Sequence, residues 1–258
     1  MILGPVEEEL AKAGAAYRNR GRWGEDDALG TLNFVDDAIR AHAASLVRRG
    51  RAFSLAQGTD RAGAQVVTRW QGLGRGDDTG QGLRGACTGR GVLLDVGRAV
   101  GDPRGELPDG FPVLEEHLRE TVEAQGATSS VRRGDLVLVR TGQLGRVRRQ
   151  GTWDRYAAGD APGLSFTTLG WLHRTEIAAV ATDTCGLEVR PSGFTGPVSS
   201  PLHRVAVPHM GLPLGEMWDL ETLSADCAAD GVYEFLLVAA PLPVTGAAGF
   251  PVNPIAVK

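Results

Sequence analysis

Five histidines supply the side chains best suited to acid–base or metal chemistry: His42, His117, His173, His203 and His209. The first three lie in amphipathic, helix-like patterns, where a surface or packing role is the ordinary interpretation. The last two flank a short apolar segment, LHRVAVPH, which continues through Gly and Pro residues to Glu216. Strand ends and loops of this kind are where site residues tend to lie. His203 and Glu216 are therefore candidates for acid–base chemistry, with a satisfied loop histidine as the plain alternative.

The familiar catalytic motifs are absent from the sequence. HExxH, GxSxG and the Walker loop do not occur. Gly72, Gly74 and Gly76 form a GxGxG, but Thr79 stands where a dinucleotide-binding fingerprint needs its last glycine. Dinucleotide binding is therefore not expected, and the residues alone do not indicate a reaction.

Charge and composition argue against several classes of function. The formal net charge is −4 and no basic block occurs, so nucleic-acid binding has no electrostatic support. No run of about 18 apolar residues predicts a membrane span, and the first residues lack the basic and apolar regions of a signal peptide. Cys87, Cys185 and Cys227 form no CxxC pair, so we expect reduced thiols and a cytoplasmic protein.

The elements that must position the candidate residues form an α/β pattern. Continuous apolar runs predict strands covered on both faces at residues 91–96, 135–140, 177–182 and 233–240. Helices are predicted at residues 36–49, 112–125, 168–175 and 219–229. Asp36 or Asp37 caps the first helix, which Gly50 ends, and Pro112 suits the first turn of the second.

The length of 258 residues and the hydrophobic content of 42% suffice for one large domain, which we assign to residues 1–258. The Gly-rich connections 57–90 and 142–164 are predicted to be loops at a site or an interface.

Three long strings resemble the bacterial cyclase family that includes kynurenine formamidase and isatin-hydrolase-like enzymes. They are RWGEDDALGTLN at 22–33, GRGVLLDV at 89–96, and a stretch that runs from PLHR at 201–204 through MGLPLGE at 210–216 to the Asn-Pro pair at 253–254. With GDLVLVRTG at 134–142, the similarity covers nearly the whole chain.

The resemblance implies a fold, an assembly and a chemistry. The fold is a single α/β domain with a β-barrel-like mixed central sheet and surrounding helices, and members usually form homodimers or homotetramers. In the family's hallmark, HxGTHxDxxxH, the first two His and the Asp bind a divalent metal, typically zinc or manganese, and the last His serves in acid–base work. A later His and Glu complete the metal site in many members, and His203 and Glu216 fall at their places. Metal-activated water then opens an amide or lactam, while other members are linked to ring closure of aromatic polyketides.

The hallmark is broken in this chain, because residues 43–116 contain no His. The best register places Gln71 and Arg75 at the two His positions, Asp77 at the Asp and Gln81 at the last His. An Arg is permanently charged and offers only donors, so it is hostile to a dication. We therefore expect no bound metal cofactor, with weakly bound Mn or Zn as the alternative.

One function is preferred and two alternatives stay open. The preferred function is a metal-independent cyclase or tailoring enzyme of a natural-product, polyketide-type pathway that acts on a small carbonyl substrate. Its expected catalytic residues are His203, Glu216, Asp77 and Arg75, and its expected substrate contacts are Trp70, Gln71, Gln81 and His209. The alternatives are a metal-dependent amide or lactam hydrolase with altered ligands, and a non-catalytic protein that binds a small molecule.

Overall fold

The computed structural model of the protein describes residues 5–57, 68–71, 87–153, 155–195, 199–242 and 249–258. Three of the expected site residues, Arg75, Asp77 and Gln81, lie outside these ranges. Within the described ranges, no helix is both long enough and apolar enough to cross a membrane.

A mixed sheet forms the centre of the fold. The described residues contain the strands β1 (Ala52–Ser54), β2 (Arg69–Gln71), β3 (Thr88–Asp95), β4 (Pro112–Val113), β5 (Leu136–Arg140), β6 (Gly163–Leu164), β7 (Ala179–Thr182), β8 (Leu214–Glu216), β9 (Glu234–Val238), β10 (Gly249–Pro251) and β11 (Ile255–Val257). The central sheet has the order β1-β11-β9-β3-β5-β7-β8-β2-β10 and curls into a half-barrel. Within this sheet the consecutive strands β3, β5, β7 and β8 run parallel to one another, and the other neighbouring pairs are antiparallel. A small parallel sheet pairs β4 with β6.

Helices surround the sheet. Those in the described residues are α1 (Val6–Ala16), α2 (Asp37–Ser45), α3 (Val96–Val100), α4 (Glu115–Gln125), α5 (Gln143–Gln150), α6 (Leu169–Arg174), α7 (Pro201–Val205) and α8 (Glu221–Asp230). The carboxylate of Asp36 accepts the backbone N–H of Ile39 at 2.8 Å and so caps α2. Gly126, at φ 79°, ends α4 in a conformation that favours glycine.

Two apolar cores lie on the two faces of the sheet. Leu93, Leu136, Leu138 and Ala181 belong to one core, and Val92, Val137, Val139 and Val180 belong to the other. Successive side chains of a strand point to opposite faces, so a continuous apolar run fills both cores at once. The α/β prediction is confirmed, and so is the prediction of doubly covered strands for β3, β5 and β7.

Strand β9 differs from its parallel neighbours. Phe235 and Leu237 are fully buried, but Leu236 is half-buried and Val238 is exposed. The expectation of two covered faces is therefore wrong for this strand, which lies towards one end of the sheet between β11 and β3.

The structure corrects four further details of the sequence prediction. Pro112 lies in β4, and α4 begins only at Glu115, because the imidazole of His117 accepts the backbone N–H of Leu114 and fixes the helix start there. The segment 142–164 contains the helix α5, and the segment 57–90 contains the strand β2. The helix α2 ends at Ser45, before the predicted end at Gly50.

Candidate active site

Glu216 is the last residue of β8, and its carboxylate is held by the antiparallel neighbour β2. The register makes Arg69 the direct partner of Glu216, and Gln71 lies two residues along on the same face. Arg69 donates to Glu216 Oε2 from Nε at 2.7 Å and from Nη2 at 2.6 Å. Gln71 Nε2 donates to the same oxygen at 2.7 Å. The Glu216 side chain is only 2% exposed, so these donors replace the water that burial removes.

His203 lies on α7 with one carboxylate at each ring nitrogen. Its Nδ1 is 2.7 Å from Glu188 Oε1, and its Nε2 is 3.2 Å from Glu216 Oε1. Glu188 also accepts the backbone N–H of Leu202 at 2.9 Å and of His203 at 3.3 Å, so one carboxylate fixes both the helix start and the ring. The backbone beside Glu188 is in turn bound to Leu164 of β6, whose N–H donates to Leu187 and whose carbonyl accepts from Val189.

The four charged side chains at this site balance one another. Glu188 and Glu216 carry two formal negative charges, and His203 and Arg69 carry two positive ones. Burial alone would lower the pKa of His203, but the hydrogen bonds to Glu188 and Glu216 outweigh it and raise that pKa to about 9. Burial likewise opposes ionisation of Glu216, yet His203 and Arg69 hold the pKa of this carboxyl below its ordinary value. The site is therefore an acid next to an ionised base.

Strained backbone surrounds these side chains. Leu187, Ser200 and Met217 have φ values of 57°, 52° and 59°, in the left-handed region that L-residues rarely occupy. Leu187 immediately precedes Glu188, Ser200 immediately precedes α7, and Met217 immediately follows Glu216. Each such residue costs about 1 kcal/mol or more, and strain of this kind clusters at functional sites. The positions support a functional reading of the site.

An apolar cluster lies beside Glu216. Met217 packs with Leu144, Val147 and Tyr156, and Cys185 contacts this cluster. Burial raises the pKa of the Cys185 thiol, so the neutral form that persists near neutral pH is a poor nucleophile. The cluster therefore places buried apolar side chains next to the charged groups of the site.

The structure brings together three of the expected residues and separates two. His203, Glu216 and Gln71 meet as described, whereas Arg75, Asp77 and Gln81 lie outside the described residues. Trp70 points to the opposite face of β2, where it is fully buried against Trp218 and donates to the carbonyl of Ala239 at 2.8 Å. The expected substrate contact by Trp70 is corrected, because a strand turns successive side chains to opposite faces.

His209 is exposed and lines a different cavity, of about 230 Å³, between residues 19–30 and 207–211. That lining includes neither His203 nor Glu216. The structure therefore does not bring His209 together with His203 and Glu216: it lies six residues further along the chain, beyond the end of α7, and its substrate contact stays a prediction.

Two residues of the site were missed by the sequence interpretation. Glu188 follows the end of β7 by six residues, and Arg69 forms part of the short strand β2. An acidic residue in the loop after a buried parallel strand is a usable signal for the first, because ligand sites gather at the carboxyl ends of such strands. Nothing in the sequence gives the register between β2 and β8, so Arg69 had no such signal.

The metal that the resemblance implies does not fit the described donors. Both nitrogens of His203 face carboxylates, and Glu216 Oε2 already accepts from Arg69 and Gln71. Over the described part of the chain, no group of three or more His, Cys, Asp or Glu side chains is placed to hold a metal ion. A protonated imidazole has no lone pair to offer a metal.

Comparison with known proteins identifies the family. A sequence profile of the family described as "Putative cyclase" matches residues 43–189, which is more than half of the chain. The chain belongs to this cyclase family. The resemblance drawn from the sequence strings is thereby confirmed. Among curated proteins, no sequence matches the chain.

Several solved structures share the fold. A crystal structure described as a novel cyclase is 28% identical, with a TM-score of 0.76 over 99% of this chain and 100% of that one. Isatin hydrolase A from Ralstonia solanacearum is 16% identical, with a TM-score of 0.60 over 87% and 98% of the two chains. A potential metal-dependent hydrolase with cyclase activity is 13% identical, with a TM-score of 0.52 over 80% and 96%. The last two likenesses concern the fold alone.

Proposed function

We propose that the protein is a metal-independent cyclase that performs acid–base catalysis on a small carbonyl substrate of a natural-product, polyketide-type pathway. The observation that carries the proposal is the line Glu188–His203–Glu216, in which a protonated imidazole contacts an ionised carboxylate at 3.2 Å. Glu188 is a positioning residue: it fixes the imidazole ring through Nδ1, so that Nε2 is the nitrogen that delivers a proton. Membership of the cyclase family supports the reaction class.

The proposed chemistry is an aldol-type ring closure in which the protons balance. Glu216 takes the proton from the carbon between two carbonyl groups, and the resulting enolate carbon bonds to a second carbonyl carbon. His203 Nε2 donates its proton to the oxygen of that carbonyl as negative charge develops there. The contact between Nε2 and Glu216 Oε1 then returns the proton from the carboxyl to the imidazole. The reaction needs neither an oxidant nor a reductant.

Arg69 offers a further donor at this position. Its side chain is 40% exposed although Nε and Nη2 both bind Glu216, so part of the guanidinium faces the solvent beside the reacting groups. In the proposed reaction the developing oxyanion accepts a hydrogen bond from this guanidinium.

The test compares two probe substrates, an acyclic poly-β-ketone for ring closure and isatin for lactam opening. Each is assayed with the wild-type protein in the presence of EDTA and, separately, of added Mn²⁺. We expect closure of the poly-β-ketone that EDTA leaves unchanged. His203→Asn should lower kcat by about 10²- to 10⁴-fold, the usual contribution of a positioned acid–base group. The matched control is His42→Asn, since His42 is exposed on α2.

Two results would contradict the proposal in different ways. Opening of isatin that requires Mn²⁺ and disappears with EDTA would restore the metal-dependent hydrolase. Saturable binding of the poly-β-ketone without turnover, unchanged in His203→Asn, would indicate a non-catalytic binding protein.

A further inference from the structure

The side chain nearest to the Glu216 carboxylate is a cation that belongs to the chain itself. Arg69 and Glu216 are direct cross-strand partners, and two guanidinium nitrogens lie 2.7 Å and 2.6 Å from one carboxylate oxygen. Gln71 Nε2 approaches the same oxygen at 2.7 Å. Three N–H groups therefore compete for the lone pairs of Oε2, and His203 faces Oε1.

Two of the donor atoms at this site have the spacing of metal ligands, although the guanidinium lies beside them. A metal-binding His usually donates its second ring N–H to a carboxylate, as His203 Nδ1 does to Glu188 at 2.7 Å. The Nε2 and Glu216 Oε1 atoms lie 3.2 Å apart. Two ligand atoms that each lie about 2.0–2.2 Å from one tetrahedral ion have a similar separation. What opposes a dication here is the guanidinium, which already neutralises Glu216 and would repel a second cation.

We propose that Arg69 is a built-in cation which occupies the place of a divalent metal at Glu216, so that removing its charge opens a metal site formed by His203 and Glu216. The inference rests on the proposed function only in treating the native site as metal-independent. It assigns Arg69 a role that neither the family membership nor the fold supplies. Glu188 would act in that opened site as the carboxylate that orients the His203 ring.

The test measures binding of Mn²⁺ alone, by calorimetry and by the loss of the free-ion EPR signal. Wild-type protein and Arg69→Lys, which keeps the charge, should show no saturable binding up to about 1 mM Mn²⁺. Arg69→Met should bind Mn²⁺ saturably, with a Kd at least about tenfold below that 1 mM limit. The double variant Arg69→Met/Glu216→Gln should lose that gain.

Gln71→Leu is the matched control, because it removes a donor from the same oxygen without removing a charge. It should gain no Mn²⁺ binding. Circular dichroism reports whether each variant folds. If Arg69→Met does not fold, Arg69→Gln replaces it, because glutamine keeps a donor and loses the charge.

Two outcomes overturn the inference. Wild-type protein that binds Mn²⁺ as tightly as the charge-removed variant shows that the guanidinium does not exclude the ion, and a folded Arg69→Met or Arg69→Gln that gains no Mn²⁺ binding shows that the guanidinium does not block a site. Both readouts are independent of turnover. A failure of the proposed function would instead show in the EDTA sensitivity of the wild-type enzyme.

Discussion

The His203 ring lies between two carboxylates where little water reaches it. Burial penalises a charged imidazole, but the hydrogen bonds and charges of Glu188 and Glu216 are stronger, and they raise the pKa of His203 to about 9. Asp183 shows the opposite balance. Its carboxylate accepts from three neutral N–H and O–H donors, yet burial outweighs these and Arg140 and raises its pKa to about 6. A carboxylate on each ring nitrogen therefore distinguishes the proposed acid from an ordinary buried group.

Removing the Glu188 charge should lower the pKa of His203. In Glu188→Gln one of the two carboxylates that favour the protonated ring is lost, so we expect the pKa to fall from about 9 towards its ordinary value of 6.5. An NMR titration of the His203 Cε1–H resonance, assigned with His203→Asn, measures it. The resonances of the other four histidines should titrate as in the wild type. A His203 titration that Glu188→Gln leaves unchanged would show that Glu188 does not hold the proton on the ring.

The same shift makes stability depend on pH. The folded-state pKa of about 9 lies above the ordinary value of 6.5, so the folded state binds the proton more tightly than the unfolded state. The stabilisation is fully present below about pH 6.5 and is lost as the pH rises through about 9. We expect the free energy of unfolding to fall more steeply over this window in the wild type than in His203→Gln, as measured by urea denaturation. His42→Gln, on the exposed face of α2, should follow the wild type, and equal slopes for all three proteins would refute the linkage.

At the scale of the elements, β3 depends on a glycine where it meets β9. A Cβ atom at Gly91 would overlap the ring of Phe235 and lie 3.0 Å from Leu237 Cβ. Both neighbours are fully buried, so neither can move into solvent. We expect Gly91→Ala to lower the free energy of unfolding by about 1–3 kcal/mol, the usual cost of overpacking a core. Thermal unfolding measures it, since each kcal/mol shifts Tm by roughly 2–4 °C in a chain of this size.

Gly89 provides the control on the same strand and the same face. A Cβ atom there would meet Val35 at 3.4 Å and Ile39 and Leu136 at 3.8 Å, which are ordinary contacts. Gly89→Ala should be neutral or stabilise the fold by up to about 1 kcal/mol, because it restricts the unfolded chain. Equal effects of the two substitutions would show that the Phe235 contact does not constrain β3.

The strands could be predicted from the sequence because their burial is simple. β3, β5 and β7 are covered on both faces, and continuous apolar runs record this directly. α5 was missed because only Leu144 and Val147 mark its apolar face, amid arginines and next to Gly142 and Gly151. Pro112 fits a first helical turn by type, but its pairing with β6 is a long-range contact that no local pattern shows.

The site could be predicted only in part, for the same reason. His203 and Glu216 lie 13 residues apart in one family-like string, and their sequence context marked both as candidates for acid–base chemistry. Arg69 contacts Glu216 from 147 residues away through the pairing of β2 with β8. Glu188 contacts His203 from 15 residues away, through a loop. Such distances depend on tertiary structure, which local propensity does not encode.

In the whole molecule, polar groups gather at one edge of the sheet. Asp95, Arg140 and Glu216 are the last residues of the parallel strands β3, β5 and β8, and Asp183 follows β7 directly. This is the edge at which α/β proteins place ligand sites. Arg140 binds Asp95 at 2.9 Å, and Asp183 binds the backbone after β5, so these groups hold the edge together. Glu216 differs from them in facing the partly exposed His203 and Arg69.

The assembly of the whole molecule is the last prediction. On the outer face of the sheet, Val238 and Leu236 of β9 lie opposite Ile255 and Val257 of β11, which gives four aliphatic residues on one surface. Contiguous apolar surface of this kind marks interfaces more often than single exposed residues do. Together with the assembly that the resemblance implies, this predicts a homodimer or homotetramer with a second copy on that face.

Sedimentation velocity at micromolar concentration should therefore give a multiple of the chain mass of 27.2 kDa. Val238→Lys places a charge on the aliphatic surface and should shift the protein to the monomer, because a buried unpaired charge opposes association. Val232→Lys is the matched control: its side chain is 36% exposed against 37% for Val238, but it lies in the turn before β9. A wild-type monomer would refute the assembly, and equal masses for the wild type and Val238→Lys would show that this face is not the interface.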